Sequence, residues 1–173
     1  EGAASNGQAL RVATMGENLN ASGSEYASMS VLTVNNKAGL LTSGAAASAL
    51  PSGTYSYSGA VNIIENMAVA VGSGTFTLTA DFDTNRATLT AATPASSSTN
   101  NIGYFFSGSG MQIDQSEGSF STSSGLIGAT GGASESASVK GYFAGTAAKG
   151  VHGIAYTNDT AAPDLVGGFY GSR

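Results

Sequence analysis

Thr75-Phe76-Thr77-Leu78-Thr79-Ala80-Asp81-Phe82, continued by Asp83-Thr84-Asn85-Arg86 and Ala87-Thr88-Leu89-Thr90-Ala91, decides the fold. Phe76, Leu78, Ala80 and Phe82 alternate with Thr75, Thr77, Thr79 and Asp81. A period of two, rich in β-branched residues, reads as a strand with one buried and one wet face. Asp83-Thr84-Asn85-Arg86 carries turn-forming side chains, and Ala87, Leu89 and Ala91 then resume the inward face. The stretch is a β-hairpin. A slip of one residue would turn its whole apolar set outward, so Phe76, Leu78, Phe82 and Leu89 are expected inside and Thr75, Thr77, Thr79 and Thr88 outside.

The same pattern extends in both directions. Upstream, Tyr55, Tyr57, Gly59, Val61 and Ile63 alternate, and Glu65-Asn66 turns into a strand-like Met67–Val71. Downstream, Thr93-Pro94 leads into a polar loop, Ala95-Ser96-Ser97-Ser98-Thr99-Asn100. Ile102–Asp114 reads as a long strand in which Gly108 and Gly110 allow a bulge. Glu117–Ser121 reads as a short return strand, and the Gly/Ser-rich Thr122–Ser136 as a mobile loop. Ser138–Gly145, Val151–Thr157 and Leu165–Ser172 are the closing strands. Eight strands with brief connections follow Gly53, and such a set closes into an up-and-down barrel without free edges. Tyr55, Tyr57, Phe76, Phe82, Tyr104, Phe106, Phe143 and Phe169 are spread one or two per strand, as interior filling requires.

The expected fold is therefore all-β: an eight-stranded antiparallel up-and-down β-barrel over residues 53–173, a connector at 45–52, and a strand-containing N-terminal extension at 1–44. In the extension, Leu10–Met15 and Ser28–Val34 are strand-like. Two such strands make no core alone, so they must pack on the barrel or on another molecule. Leu10, Val12, Val31, Leu32 and Val34 are the candidate assembly positions, since a bare strand with few charges invites pairing.

Composition excludes several functions. Charged residues make up 10% of the chain, against roughly 25% in an average protein, and 25 glycines argue against helical architecture. Six Lys+Arg against eleven Asp+Glu leave a net charge of −5, and no two basic residues are adjacent. Neither nucleic acid nor an anionic membrane is an expected partner. No apolar run reaches the roughly 18 residues of a spanning helix. Without Cys there is no disulfide, thiolate nucleophile, zinc–sulfur site or lipid-bearing Cys. The start at Glu1 reads as a processed or trimmed end.

Little in the chain points to catalysis. Serines abound, but no Gly-x-Ser-x-Gly elbow is present, and His152 is the only histidine. Asp81 and Asp83 could form a carboxylate pair, and Asp81-Phe82-Asp83-Thr84-Asn85 mimics the opening of a calcium loop. The loop's Gly is missing and Ala92 stands where its bidentate Glu would be, so turn chemistry explains both acids. No dinucleotide or phosphate-binding glycine motif occurs. The expectation is a protein without enzymatic activity, cofactor or metal.

The C-terminal third resembles a known family. Gly141-Tyr142-Phe143-Ala144-Gly145-Thr146-Ala147-Ala148-Lys149-Gly150-Val151-His152-Gly153-Ile154 is similar to the Gly-x-Phe-x-Gly signature of transferrin-binding-protein-B-like β-barrel domains. Leu165-Val166-Gly167-Gly168-Phe169-Tyr170-Gly171-Ser172-Arg173 resembles that family's ending, and Gly74–Leu89 its hairpin. Gly141, Phe143, Gly145, Gly153, Gly168 and Phe169 are the matching fold-signature positions. The resemblance implies an eight-stranded barrel exported by a Gram-negative bacterium, secreted or held at the cell surface, that binds another protein. His152 stands where the family usually has a Gly, and no partner-binding loop can be matched, so transferrin binding does not carry over.

Three functional readings follow. The first is a protein-binding module of the outer membrane surface or extracellular space, working through loops such as Ser96–Asn101 and Thr122–Ser136. The second is a self-assembling subunit of an extracellular filament or layer, joined through the N-terminal strands. The third is a carrier of haem or a small ligand, for which His152 is the weak candidate because relatives of the barrel bind haem. A polar residue at a strand end is the simpler account of His152, since most strand histidines carry no such role.

Overall fold

The computed structural model describes residues 2–3, 9–19, 25–34, 37–65, 72–98, 101–158 and 164–173. Four strands come first: β1 (Gly2–Ala3), β2 (Ala9–Leu19), β3 (Glu25–Val34) and β4 (Lys37–Ser43). They form one antiparallel sheet in that order. Eight more follow: β5 (Thr54–Glu65), β6 (Gly72–Asp81), β7 (Arg86–Thr93), β8 (Tyr104–Asp114), β9 (Ser119–Ala129), β10 (Ser134–Ala144), β11 (Gly150–Thr157) and β12 (Leu165–Ser172). Each pairs antiparallel with the next, and β12 returns to pair with β5, closing the barrel. The all-β, eight-stranded up-and-down reading holds.

Alternation sets the facing. Phe76, Leu78, Ala80 and Phe82 are buried, as are Ala87 and Leu89, while Thr75, Thr77, Thr79 and Thr88 are exposed. The Phe82–Asn85 turn is fastened by Asp81, whose Oδ1 accepts from the backbone N–H groups of Asp83 and Thr84 at 3.0 and 3.2 Å. Asp83 Oδ1 accepts from Gly53 N–H at 2.9 Å. Both acids are thus built into the turn and the start of β5.

The glycines of β8 act as expected. Ala87 pairs with Met111 and Leu89 with Gly108, so β8 carries one extra residue there, and Gly110 has φ +58°. That conformation suits glycine.

Three readings need correction. Thr122–Ser136 is not a mobile loop and Glu117–Ser121 is not a short strand: β9 runs eleven residues to Ala129, and β10 starts at Ser134. The cause is small residues on the inward face. A side chain at Gly125 would meet Ser107 O at 2.7 Å, so β9 lacks an apolar rhythm where it passes closest to its neighbours. The third miss is β4, whose Lys37-Ala38-Gly39-Leu40-Leu41 has no alternation to read. Met67–Val71 lies outside the described residues.

The lumen is filled by rings. Phe82 and Phe143 have centroids 4.8 Å apart, Phe143 and Phe120 5.1 Å, and Phe76 and Phe169 5.2 Å. Tyr57, Phe106 and Tyr55 extend the array. Phe120, fully in the core, joins the residues that the sequence reading placed inside. At one end, Ala47 and Leu50 of the connector pack on this core, and Ala46 bridges Ala144.

Candidate functional site

With the lumen packed, the outer surface and the strand connections are where the barrel can meet a partner. At the end away from the connector, the β7–β8 connection holds a 3-10 turn, Ala95–Ser97, and the β9–β10 connection is the tight Thr130–Ala133. Thr130 N–H donates to Gly103 O at 2.7 Å, tying the two connections together. Ser98 Oγ accepts from Ile102 N–H at 2.8 Å. The described part of the polar loop, residues 95–98, is therefore held by Ser97 and Ser98, and Thr99 and Asn100 lie outside the described residues.

The second feature is the outer wall of β11 and β12. Strands β3 and β4 lie against both, and β2 reaches β12. The N-terminal strands thus pair with one another and pack on the barrel exterior. Among the candidate assembly positions, Leu10 pairs with Val34, Val12 with Leu32, and Ala13 with Val31, all within this sheet.

His152 lies beneath that sheet. Val151 and Ala155 alternate inward and are fully buried, which turns His152 outward, away from the lumen. It is nevertheless only 8% exposed, and its Nδ1 lies 3.2 Å from Thr42 Oγ1 of β4. Tyr142, its partner across the β10–β11 ladder, stacks on it at 5.8 Å between centroids. The Lys140 ammonium stands 5.3 Å from the Tyr142 centroid. A hydrogen bond to Tyr142 pushes the Lys140 pKa up, assisted by nearby charge. His152 is thus an interface residue, and the rings within the barrel occupy the space where a lumenal ligand would sit.

Beside this contact runs a groove of about 260 Å³, lined by Leu40, Leu41 and Thr42 of β4 and by Lys140, Tyr142 and Ile154 of the wall. Leu41 is 51% exposed. The sequence reading missed this groove because its two sides lie about a hundred residues apart and one side is β4.

The signature residues fall into two roles. Phe143 and Phe169 are buried rings of the lumen. The other four are glycines. Gly141 is filled over by Phe120, a side chain at Gly153 would meet Phe169 Cζ at 2.5 Å, and Gly145 has φ +74° at the end of β10. Gly168 alternates with Phe169, faces outward, and is buried on β12, where the small sheet packs. At Gly141 and Gly153 a ring comes close, and at Gly145 the chain takes a conformation that favours glycine.

No family model matches the sequence, and no curated protein does. Solved structures match strongly in shape. Isotype 1 transferrin binding protein B from serogroup B Neisseria meningitidis has a TM-score of 0.63 at 17% identity, over 95% of this chain and 34% of that one. A variant of transferrin binding protein B from Actinobacillus pleuropneumoniae H49 gives 0.60 at 15%, over 92% and 80%. The N-lobe domain of lactoferrin binding protein B of Moraxella bovis gives 0.59 at 13%, over 94% and 79%. The chain spans about a third of the first protein's length and about four fifths of the other two structures. Coverage of this chain exceeds what the barrel alone holds, so the likeness extends into the N-terminal strands. The chain is similar in fold to the lobes of transferrin- and lactoferrin-binding protein B.

Proposed function

We propose that this chain is an exported, non-enzymatic protein-binding module, secreted by or displayed on a Gram-negative bacterium, that meets its partner with its outer surface. The observation that carries the reading is the packed lumen: rings from Tyr55 to Phe169 fill the barrel, which moves recognition to the wall, the small sheet and the loop end. The names of the structural neighbours, transferrin binding protein B and lactoferrin binding protein B, support a protein partner. Partner identity is a separate matter, since a shared fold hosts many specificities.

Native mass spectrometry of the purified full chain tests this against its rivals. The expected result is a monomer of 17.0 kDa that carries no added mass and forms a discrete complex with a protein captured from extracellular fluid. A ladder of multimers of the chain alone would favour the self-assembling subunit. A constant added mass of a few hundred daltons would favour the ligand carrier.

A further inference from the structure

We infer that the open groove on the outer wall of β5, β6 and β7 receives an Asn or Gln side chain of the partner protein, with Asn62 as the residue that holds its amide. This rests on the reading of the chain as a protein-binding module and assigns that module a specific contact.

The observation that carries it is an unanswered polar group. Five polar residues are buried among the described residues, and four of their side chains have hydrogen-bond partners. Thr93 Oγ1 accepts from Tyr104 N–H at 3.0 Å, and Thr157 Oγ1 accepts from Asp164 N–H at 2.9 Å. Ser119 Oγ donates to Glu117 Oε2 at 3.4 Å, and His152 meets Thr42. The Asn62 side chain, in a residue only 5% exposed, has no such partner among the described residues. A carboxamide left buried and unpaired is costly, and folded proteins answer nearly every such group.

Alternation shows from which side the answer must come. Val61 and Ile63 point into the lumen and are fully buried, which turns Asn62 outward with Ala60. Ser73 of β6 stands directly across the ladder and is exposed. Ala60, Asn62 and Ser73, with Thr75, Ala92 and Pro94, line a groove of about 600 Å³. A depression of about 210 Å³, lined also by Thr77 and Thr90, shares Thr75 and Ala92 with it.

The lining selects the ligand. Among the described residues, no charged side chain lines either hollow, so an ionic group would lose water and gain no counter-charge. Another amide matches Asn62 group for group, acceptor to donor and donor to acceptor. Ala60, Ala92 and Pro94 suit a methylene stem, and the Ser73 and Thr75 hydroxyls suit the backbone on either side of it. No aromatic ring lines the groove at Asn62, which favours a side chain over a sugar, whose apolar face stacks on rings. The groove far exceeds the roughly 30 Å³ of one water molecule and takes the tip of a loop.

The test is an NMR titration of the full chain with a capped Ser-Gln-Ser peptide, its Ser-Glu-Ser counterpart and N-acetylglucosamine. The expected result is millimolar binding of the Gln peptide that shifts the Asn62 side-chain amide together with the Ser73 and Thr75 backbone amides. The Glu peptide should bind roughly tenfold more weakly. Binding should be lost in Asn62→Leu and in Thr75→Arg, which blocks the groove from its exposed side. In urea melts of the free chains, Asn62→Leu should be at least as stable as the parent, because no hydrogen bond is lost. A markedly less stable Asn62→Leu would give Asn62 a structural role and overturn the site. No binding at millimolar Gln peptide, equal binding of the Glu peptide, tighter binding of N-acetylglucosamine, or unaltered binding by Thr75→Arg would each overturn it as well. A partner protein that Asn62→Leu binds unchanged would leave the chain a protein-binding module and this groove idle, so the two failures differ.

Discussion

Gly141 on β10 lies directly opposite Phe120 on β9, and the Phe120 ring occupies the space that any side chain at 141 would need. A valine there must displace a ring that also packs on Phe143 and Phe169. Overpacking a filled core costs about 1–3 kcal/mol, and more where several rings must move together. Gly141→Val is expected to lose most of its folded yield, while Gly131→Ala, in open space with φ +82°, should cost about 1 kcal/mol. Urea melts of the two variants check the ordering.

Facing on the β6–β7 hairpin gives a second test. Phe82 is 1% exposed and contacts Phe143, whereas Thr77 is exposed on the same hairpin. Phe82→Ala should cost about 3–5 kcal/mol and Thr77→Ala less than about 0.5. Equal costs would mean that the register is wrong.

Tyr57 supplies a pH signature. Its hydroxyl donates to Ala148 O at 2.7 Å, and burial pushes its pKa from 10.0 up to about 12. The folded chain holds this proton more tightly than the unfolded chain. The stability involved is therefore fully present below pH 10 and is lost as pH rises from 10 toward 12. Tyr57→Phe should lower stability at neutral pH by about 1–2 kcal/mol, because the Ala148 carbonyl loses its donor, and should flatten the alkaline decline. Chemical denaturation between pH 8 and 11.5 measures both.

Removal of residues 1–44 is expected to leave a folded barrel, since β5 to β12 close without them and Ala47 and Leu50 are retained. The truncated chain should bind more of a hydrophobic dye than the full chain, because the buried outward surface around His152 and Gly168 becomes wet. Near-ultraviolet circular dichroism with dye fluorescence reads both effects. Loss of the aromatic signal would show that the extension belongs to the core.

How much of this was legible depended on side-chain size. The β6–β7 hairpin could be read because Phe76, Leu78, Phe82 and Leu89 are large and alternate with threonines. Leu165–Ser172 was read to the residue, because Phe169 anchors a run of glycines. Where β9 presses glycines against its neighbours, the inward face is Gly125 and Ile127, and too few large side chains remain to mark a period. The groove was illegible for another reason. It depends on where β4 comes to rest against β10 and β11, and no local pattern encodes that meeting.

The account turns on closure: if the β12–β5 seam is shut and the lumen full, recognition belongs to the outside. Amide exchange and cross-strand proton contacts along that seam measure this directly. Val61 pairs with Phe169 and Gly59 with Gly171. The predicted result is Hα–Hα contacts between β5 and β12, with amide protection equal to that of the β6–β7 ladder. Seam amides that exchange as fast as those of a free edge strand would contradict closure, open the lumen to solvent and return the ligand-carrier reading.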